Sequence, residues 1–171
     1  MNELEKFLQT WDMEAKKTVQ LLEGLPADKY DFRPDPQGRS LGELAWHLTE
    51  VDAYPAYGIQ ARNVDFSQKP PGIERPKDVK SLAPGFKRVH DQAAAIIRKL
   101  KPEDMNREIP FFGGRMLRIG DILWSAQLYH LIHHRGQLAL MCRLAGGPCP
   151  SLYGPNREDS AAMRGGNGGN R

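Results

Sequence analysis

The stretch that decides the fold is Tyr129-His130-Leu131-Ile132-His133-His134-Arg135-Gly136-Gln137, which carries three of the five histidines in the chain. Apolar residues recur around it at helical spacing from Ile119 to Leu144, and this predicts one long helix. His130 and His134 are four residues apart, so they lie about 40° apart on that helix, one turn above the other. One helix offers two imidazoles to a single metal ion at this spacing. The stretch therefore predicts a metal centre.

The polar side chains of this helix share an arc with apolar ones. On a helical wheel, His130, His134 and Gln137 fall in the middle of a face that also holds Ile119, Leu123, Ala126, Met141 and Leu144. A buried imidazole without a partner leaves its nitrogens unsatisfied, so the group needs hydrogen bonds, water or a metal. His133 falls at the edge of the arc and is a poorer candidate ligand. The spacing alone also fits a structural histidine pair.

A third ligand is available on another predicted helix. The segment from Ser40 to Val51 opens with the S-x-x-E pattern of a capping box, and His47 lies on its inward face. His90 lies at the margin of an apolar stripe, where we expect a solvent-edge histidine. Three histidines from two helices suit zinc or a similar divalent ion, with one coordination position left for water or substrate.

Composition limits the classes of protein to consider. The chain has 171 residues, enough for one domain with a sizeable core, and a formal net charge of +3. The basic residues are dispersed among nearly as many acidic ones, which argues against nucleic-acid binding. No apolar run is long enough to span a bilayer, and residues 1–6 lack a signal-peptide pattern. We therefore expect a cytoplasmic protein without a membrane partner.

Four helices are predicted, with connections of unequal length. They cover about Glu3 to Glu23, Ser40 to Ile59, Leu82 to Lys101 and Ile119 to Leu144. The proline-containing connection 61–81 is long enough to carry the chain back along the bundle, so the second and third helices are expected to run parallel. Residues 107–118 predict a short hairpin or extended loop about a Gly-Gly turn. The predicted organisation is a bundle domain over 1–155 and a Gly-rich C-terminal tail over 156–171, in which residues 161–171 have the composition of a flexible segment.

The fourth predicted helix is apolar on more than one side. Leu128 and Ile132 lie on the face opposite the histidines. A helix that is apolar nearly all round must be buried nearly all round, so this face needs a second copy of the chain or the segment 107–118 to cover it. The first alternative predicts a homodimer. Gly136 in the middle of the helix predicts a close approach by another backbone.

Three separated segments together resemble the DinB/YfiT-like superfamily of metal-dependent enzymes. They are Ser-Leu-Gly-Glu-Leu-Ala-Trp-His at 40–47, His-Leu-Ile-His-His-Arg-Gly-Gln-Leu at 130–138 and Leu-Ala-Gly-Gly-Pro-Cys-Pro-Ser-Leu-Tyr-Gly-Pro at 144–155. The resemblance implies an all-α, four-helix up-down-down-up bundle, often dimeric, with a divalent metal at one end. By matching positions, the metal-binding histidines of the family fall on His47, His130 and His134.

The resemblance is less decisive about the reaction. Characterised members of the superfamily include S-transferases and isomerases that use bacillithiol, mycothiol or glutathione, and others are assigned as hydrolases. It therefore implies a metal-dependent enzyme acting on a small molecule, with zinc as the first choice of ion and nickel, iron or manganese as alternatives. Such an ion can activate a low-molecular-weight thiol for S-transfer or water for hydrolysis. The alternative is a non-catalytic stress-response or binding bundle in which the metal is structural.

Three further residues are candidates for supporting roles. Glu50 lies one turn from His47 and Gln137 one turn from His134, so either can orient a ligand imidazole. The ordinary alternatives are a solvated surface carboxylate and an interhelical amide. Tyr153, in the segment after the last helix, is a candidate for covering a substrate pocket, with a packing aromatic as its alternative.

Overall fold

Five helices and one short hairpin make up residues 1–166, the part of the chain that the computed structural model describes. The predicted all-α class is confirmed. The helices are α1 (Glu3–Glu23), α2 (Leu41–Ala61), α3 (Leu82–Ile97), α4 (the consecutive segments Ile119–Asp121, Ile122–Tyr129 and His130–Leu144) and α5 (Arg157–Gly166). The hairpin pairs β1 (Glu108–Phe111) with β2 (Arg115–Arg118). No helix of this described part is long and apolar enough to cross a membrane.

Capping side chains fix where the first two helices begin. Ser40 accepts a hydrogen bond from the Glu43 amide, and the Glu43 carboxylate accepts one from the Ser40 amide, as the capping-box pattern predicts. Asn2 and Glu5 form the same reciprocal pair before α1. The third helix ends at Ile97, earlier than the predicted Lys101. A 3₁₀ turn begins at Pro102, and proline disfavours helical backbone in the residue before it.

The long helices pack as a bundle in which α1 and α2 each contact both α3 and α4. Contacts between α2 and α3 advance in the same direction along both helices. The Trp46 ring packs on the bare backbone of Gly85, and Asp52, further along α2, bonds to His90, further along α3. Neighbouring helices can run this way because the connection 62–81 is long enough to return the chain.

The predicted hairpin is confirmed, and its turn explains the two glycines. Gly113 and Gly114 have φ values of 76° and 78°, a left-handed conformation that side-chain-bearing residues rarely adopt. The connection between α2 and α3 is tied to this hairpin, because the Val64 amide donates to the Pro110 carbonyl at 2.9 Å. One end of the connection therefore lies beside β1.

The back face of α4 is covered by the chain itself. Leu128 is fully buried in an apolar cluster with Phe7 of α1 and Ile109 of the hairpin, and Ile132 packs against the same cluster. This face therefore gives no reason to expect a second copy of the chain. Within residues 1–166, nothing lies near enough to Gly136 to contact an added Cβ, so the close approach expected there is not made within the chain.

Part of the predicted C-terminal tail is helical. A Gly-rich tail was expected over 156–171, with a flexible segment over 161–171, but α5 occupies Arg157–Gly166. Asn156 caps this helix by accepting from the Asp159 amide at 2.9 Å, and Glu158 pairs with Arg143 of α4 at 2.8 Å. The rest of the predicted tail, 167–171, lies outside the described residues.

Candidate metal centre

A π-helical segment, Ile122–Tyr129, precedes the histidine turns of α4. Hydrogen bonds in a π-helix join residues five apart, so the segment places its side chains at different angles from those of an α-helix. A wheel of constant period therefore misplaces residues before His130. Ile119 and Leu123, expected on the histidine arc, pack instead in the apolar cluster that contains Phe7 and Trp11. Leu144, expected on the same arc, is exposed at the last residue of the helix. The segment nevertheless brings His130 and His134 to the face of α4 that meets α2.

The structure brings together the three histidines that the sequence singled out. One ring nitrogen from each of His47, His130 and His134 lies within 4.8 Å of the others. The Nε2 atoms of His130 and His134 are 2.8 Å apart, and the His47 ring centroid lies 4.7 Å from that of His134. Within the part of the chain that the structure describes, these three form the one such group of metal-ligating side chains.

Two of the three imidazoles are held by the polar residues proposed to support them. Nδ1 of His47 lies 3.0 Å from a Glu50 carboxylate oxygen, and Nδ1 of His134 lies 2.6 Å from the Gln137 amide oxygen. The Gln137 amide nitrogen also lies 3.2 Å from His133, an exposed residue outside the three-histidine group. These contacts fix ring orientation and leave the other ring nitrogens of His47 and His134 for a ligand.

The surroundings favour neutral imidazoles at two of the positions. Burial lowers the pKa of His134 to about 4, although the hydrogen bond to Gln137 opposes the shift. Burial also lowers the pKa of His130, and the neighbouring His47 adds to the effect. A neutral imidazole carries the lone pair that metal coordination requires, whereas an imidazolium has none to offer.

His90, expected at the solvent edge, takes part in a second polar centre inside the bundle. Its side chain is only 11% exposed, and Nδ1 lies 2.8 Å from the fully buried carboxylate of Asp52. Trp11 donates to the same carboxylate at 2.5 Å, and the Gln127 amide donates to the Asp52 carbonyl at 3.1 Å. Sequence analysis missed this centre because its members come from four helices and share no local motif.

Tyr153 lies in a different cluster from the histidines. Its hydroxyl bonds to the buried Glu14 and Arg135, which also pair with each other. Arg135 donates in addition to the Glu14 carbonyl, at 2.7 Å. Arg135, which follows His134 in the histidine motif, therefore connects α4 to α1. Tyr153 connects the segment after α4 to the same buried pair. Tyr153 is not among the residues that line the cavity beside the histidines.

That cavity has a volume of about 320 Å³ and opens beside two of the three histidines. Its lining residues come from α2, α4 and the connection between α2 and α3: His47, Glu50, Val51, Tyr54, Pro55, Phe66, Ala126 and His130. Sequence analysis missed Phe66, whose place in the wall depends on the path of the long connection.

Comparisons with known proteins agree with this fold. Residues 10–138 match the DinB superfamily. The chain is 29% identical over 164 residues to the uncharacterized protein YrdA of Bacillus subtilis strain 168, with 92% of each protein covered. It is also similar to the crystal structure of a DinB-like protein from Bacillus cereus ATCC 10987, with a TM-score of 0.72 at 27% identity over 87% of this chain and 97% of that one.

A second solved structure, the DinB-like protein YjoA of Bacillus subtilis, matches with a TM-score of 0.70 at 26% identity, over 86% of this chain and 96% of that one. The fold and the three-histidine group define a helical bundle with a candidate metal centre. The chain belongs to the DinB superfamily, as its motifs indicated. The matched range contains all three histidines of the group.

Proposed function

We propose that this protein is a metal-dependent enzyme that uses a divalent ion, zinc by first choice, to activate a low-molecular-weight thiol for transfer to a small molecule. The observation that carries the proposal is the convergence of His47, His130 and His134 beside a cavity. Three imidazoles from the protein are the donor set of a catalytic zinc site, in which a fourth position stays open for water or substrate.

The residues present fit such an ion. Two nitrogens bound to one tetrahedral zinc are separated by roughly 3.3 Å, given bonds of about 2.0 to 2.1 Å. The group spans comparable distances, from 2.8 Å between the Nε2 atoms of His130 and His134 to at most 4.8 Å. Glu50 and Gln137 hold the second nitrogens of two rings, as carboxylates and amides do around bound metals.

A bound divalent ion lowers the pKa of a thiol, so that the thiolate becomes available near neutral pH. In the transfer, the thiol loses its proton to solvent and its sulfur forms a bond to an electrophilic carbon of the substrate. The bond from that carbon to the leaving group breaks, and the leaving group departs with the electron pair. The protein contributes the orientation of the imidazoles and a cavity in which the electrophile lies next to them.

Hydrolysis is the second candidate, and the position of Glu50 favours it. This carboxylate lines the cavity as well as contacting His47, so it stands where a general base could take a proton from water. A purely structural metal is less well supported, because a structural zinc site is usually closed by four protein ligands. The group has three, within the residues described, and it borders a cavity.

We also propose that the protein forms a homodimer, through a face of α4 different from the one first expected. Tyr129, Leu140 and Leu144 are apolar and exposed along one side of the helix, and Gly136 lies among them with open space above it. Exposed apolar faces of this kind are typical of subunit interfaces, and a glycine permits two helices to approach closely.

The catalytic proposal is tested with His47→Ala. The variant should keep the helical circular dichroism of the wild type and lose both thiol transfer and ester hydrolysis. Thiol transfer is measured with bacillithiol, mycothiol or glutathione and a panel of carbon electrophiles. Chelation should abolish the wild-type activity, and a divalent ion should restore it. Full activity in the folded variant would show that the metal centre is not the catalyst, and the binding-bundle alternative would then replace this proposal.

A further inference from the structure

The cavity beside the histidines has two unlike ends. The His47 and His130 rings lie beside each other, with centroids 5.5 Å apart, and Tyr54, about two turns further along α2, packs against Phe66. A volume of about 320 Å³ is at the lower end of the range for small-molecule sites, which are mostly apolar with a few polar groups that fix orientation. A ligand in this cavity would therefore have one end at the candidate metal centre and the other against apolar side chains.

Aromatic side chains continue from the wall onto the surface. The Phe66 ring centroid lies 5.7 Å from that of Tyr54, 5.9 Å from Phe111 and 5.5 Å from Phe112. Phe66 is 42% exposed and Phe112 is 65% exposed. Aromatic rings contribute most free energy when they are buried, so an exposed aromatic cluster that continues from the wall of a cavity marks a surface that an apolar ligand can cover.

The charges of the lining discriminate between classes of ligand. Glu50 is the one carboxylate among the lining residues, and no lysine or arginine lines the cavity in the described part of the chain. Its side chain is partly exposed. In the metal-free protein, an anionic ligand would meet this carboxylate without a compensating cation, which costs binding free energy in a partly desolvated site. A neutral or cationic ligand meets no such repulsion.

We propose that the cavity binds small molecules that carry an aromatic or bulky apolar group and no negative charge, with that group packed against Phe66. That such a ligand is the substrate, with its reacting end toward His47 and His130, rests on the proposed function. The class of ligand follows from the cavity itself and does not require the metal.

Three probes of nearly the same shape test the proposal: naphthylmethanol, naphthylmethylamine and naphthoate. Binding is measured by saturation-transfer NMR and calorimetry, first on full-length protein stripped of metal and then with zinc added. In the metal-free protein the alcohol and the amine should bind at least about tenfold more tightly than the carboxylate, as expected for an uncompensated like charge in a cavity. Glu50→Gln should remove most of that difference.

Phe66→Ala should weaken naphthylmethanol binding by about fivefold or more, which is the scale of an aromatic pair. Met13→Ala is the matched control, because Met13 is also an exposed apolar residue but lies outside the cavity lining. Its probe affinity should equal that of the wild type. Melting temperatures close to the wild-type value would confirm that both variants are folded.

Several results would overturn the proposal. They are tighter binding of naphthoate than of the alcohol in the metal-free wild type, unchanged affinity in folded Phe66→Ala, and no binding of any probe. The last result in a protein that binds zinc leaves the proposed function standing. Probe binding with the expected preferences in a protein that binds no divalent ion supports this inference and rejects the metal-dependent function.

Discussion

The Glu50 carboxylate lies 3.0 Å from Nδ1 of His47, one turn along the same helix. Because this contact occupies Nδ1, Nε2 is the nitrogen that His47 has left for an ion. Outer partners of metal-binding histidines orient the ring and raise its basicity, and their removal typically costs about 10- to 100-fold in metal affinity. We expect a loss of that size in zinc affinity for Glu50→Gln, measured by competition with a chromophoric chelator. Glu74→Gln, a change at an exposed carboxylate, should leave the affinity unchanged.

The histidines of α4 should differ sharply in their effect on metal content. His130→Ala removes a member of the three-histidine group, so protein purified without a nickel column should lose most of its metal by elemental analysis. His133→Ala is the matched control, because His133 is on the same helix but outside the group. It should keep close to the wild-type content. The reverse order would show that the wrong histidines have been assigned.

Breaking the buried pair of Glu14 and Arg135 should lower the free energy of unfolding strongly, whereas replacing both residues with apolar ones should lower it much less. Glu14→Gln leaves the Arg135 guanidinium buried without its carboxylate, a change that costs about 3–5 kcal/mol in comparable pairs. The double variant Glu14→Leu with Arg135→Met should recover most of that loss, because no charge then remains buried. Urea unfolding of the two variants provides the comparison, and equal losses in both would contradict the argument.

The same pair should make the free energy of unfolding fall at acid pH. Burial raises the pKa of Glu14, but hydrogen bonds from Arg135, Tyr153 and Lys17 together lower it further, so the pKa lies below its ordinary value of 4.5. A lowered pKa stabilises the fold fully above pH 4.5, and the contribution is lost as the pH falls through the folded pKa. Glu14→Gln should therefore show a shallower loss of stability below pH 4.5 than the wild type.

The second polar centre, which contains His90 and Asp52, should have the opposite effect, so that the free energy of unfolding falls as the pH rises. Burial lowers the pKa of His90, but the hydrogen bond to Asp52 and the negative charges of Asp52, Asp12 and Asp91 together outweigh burial, so the pKa is raised above 6.5. This contribution is complete below pH 6.5 and is lost as the pH rises through the folded pKa. We expect the unfolding free energy of metal-free protein to fall over that range, and His90→Gln to flatten the slope. His133→Gln should keep the wild-type slope, and a flat wild-type profile would contradict the prediction.

The proposed dimer is tested on the exposed face of α4. Leu140→Glu places a charge on that face, where burial in an interface would leave it without a partner, so the protein should become monomeric in light scattering. Met13→Glu makes the same chemical change at an exposed position on α1 and should leave the oligomeric state unchanged. A wild-type protein that is monomeric at every workable concentration would reject the dimer.

Sequence patterns predicted those parts of the structure that depend on local chemistry. The capping box at Ser40, the four-residue spacing of His130 and His134, and the Gly113–Gly114 turn each require only nearby residues, and the structure has all three features. The spacing places His130 and His134 on successive turns of one helix, and the capping box begins the helix that carries His47.

The parts that escaped prediction depend on contacts between distant segments. The burial of Asp52 with His90 joins α2 to α3, and the position of Phe66 depends on where a long connection lies. The placement of Ile119 and Leu123 had a different cause, because a wheel of constant period could not anticipate the π-helical segment that lies before His130. Periodicity shows which residues share a face, but it does not show which other element covers that face.

The number of residues in the π-helical segment fixes the angle around α4 between the two polar centres of the bundle. Gln127 lies within the segment and bonds to Asp52, whereas His130 begins the α-helical turns that follow. Deleting one residue between them would rotate the two by about 100° relative to each other, the angle between successive residues of an α-helix. Homologous chains that lack a residue here would have to change the partner of Asp52 or the members of the three-histidine group. Aligning such sequences without allowing for this shift would match histidines that do not occupy equivalent positions.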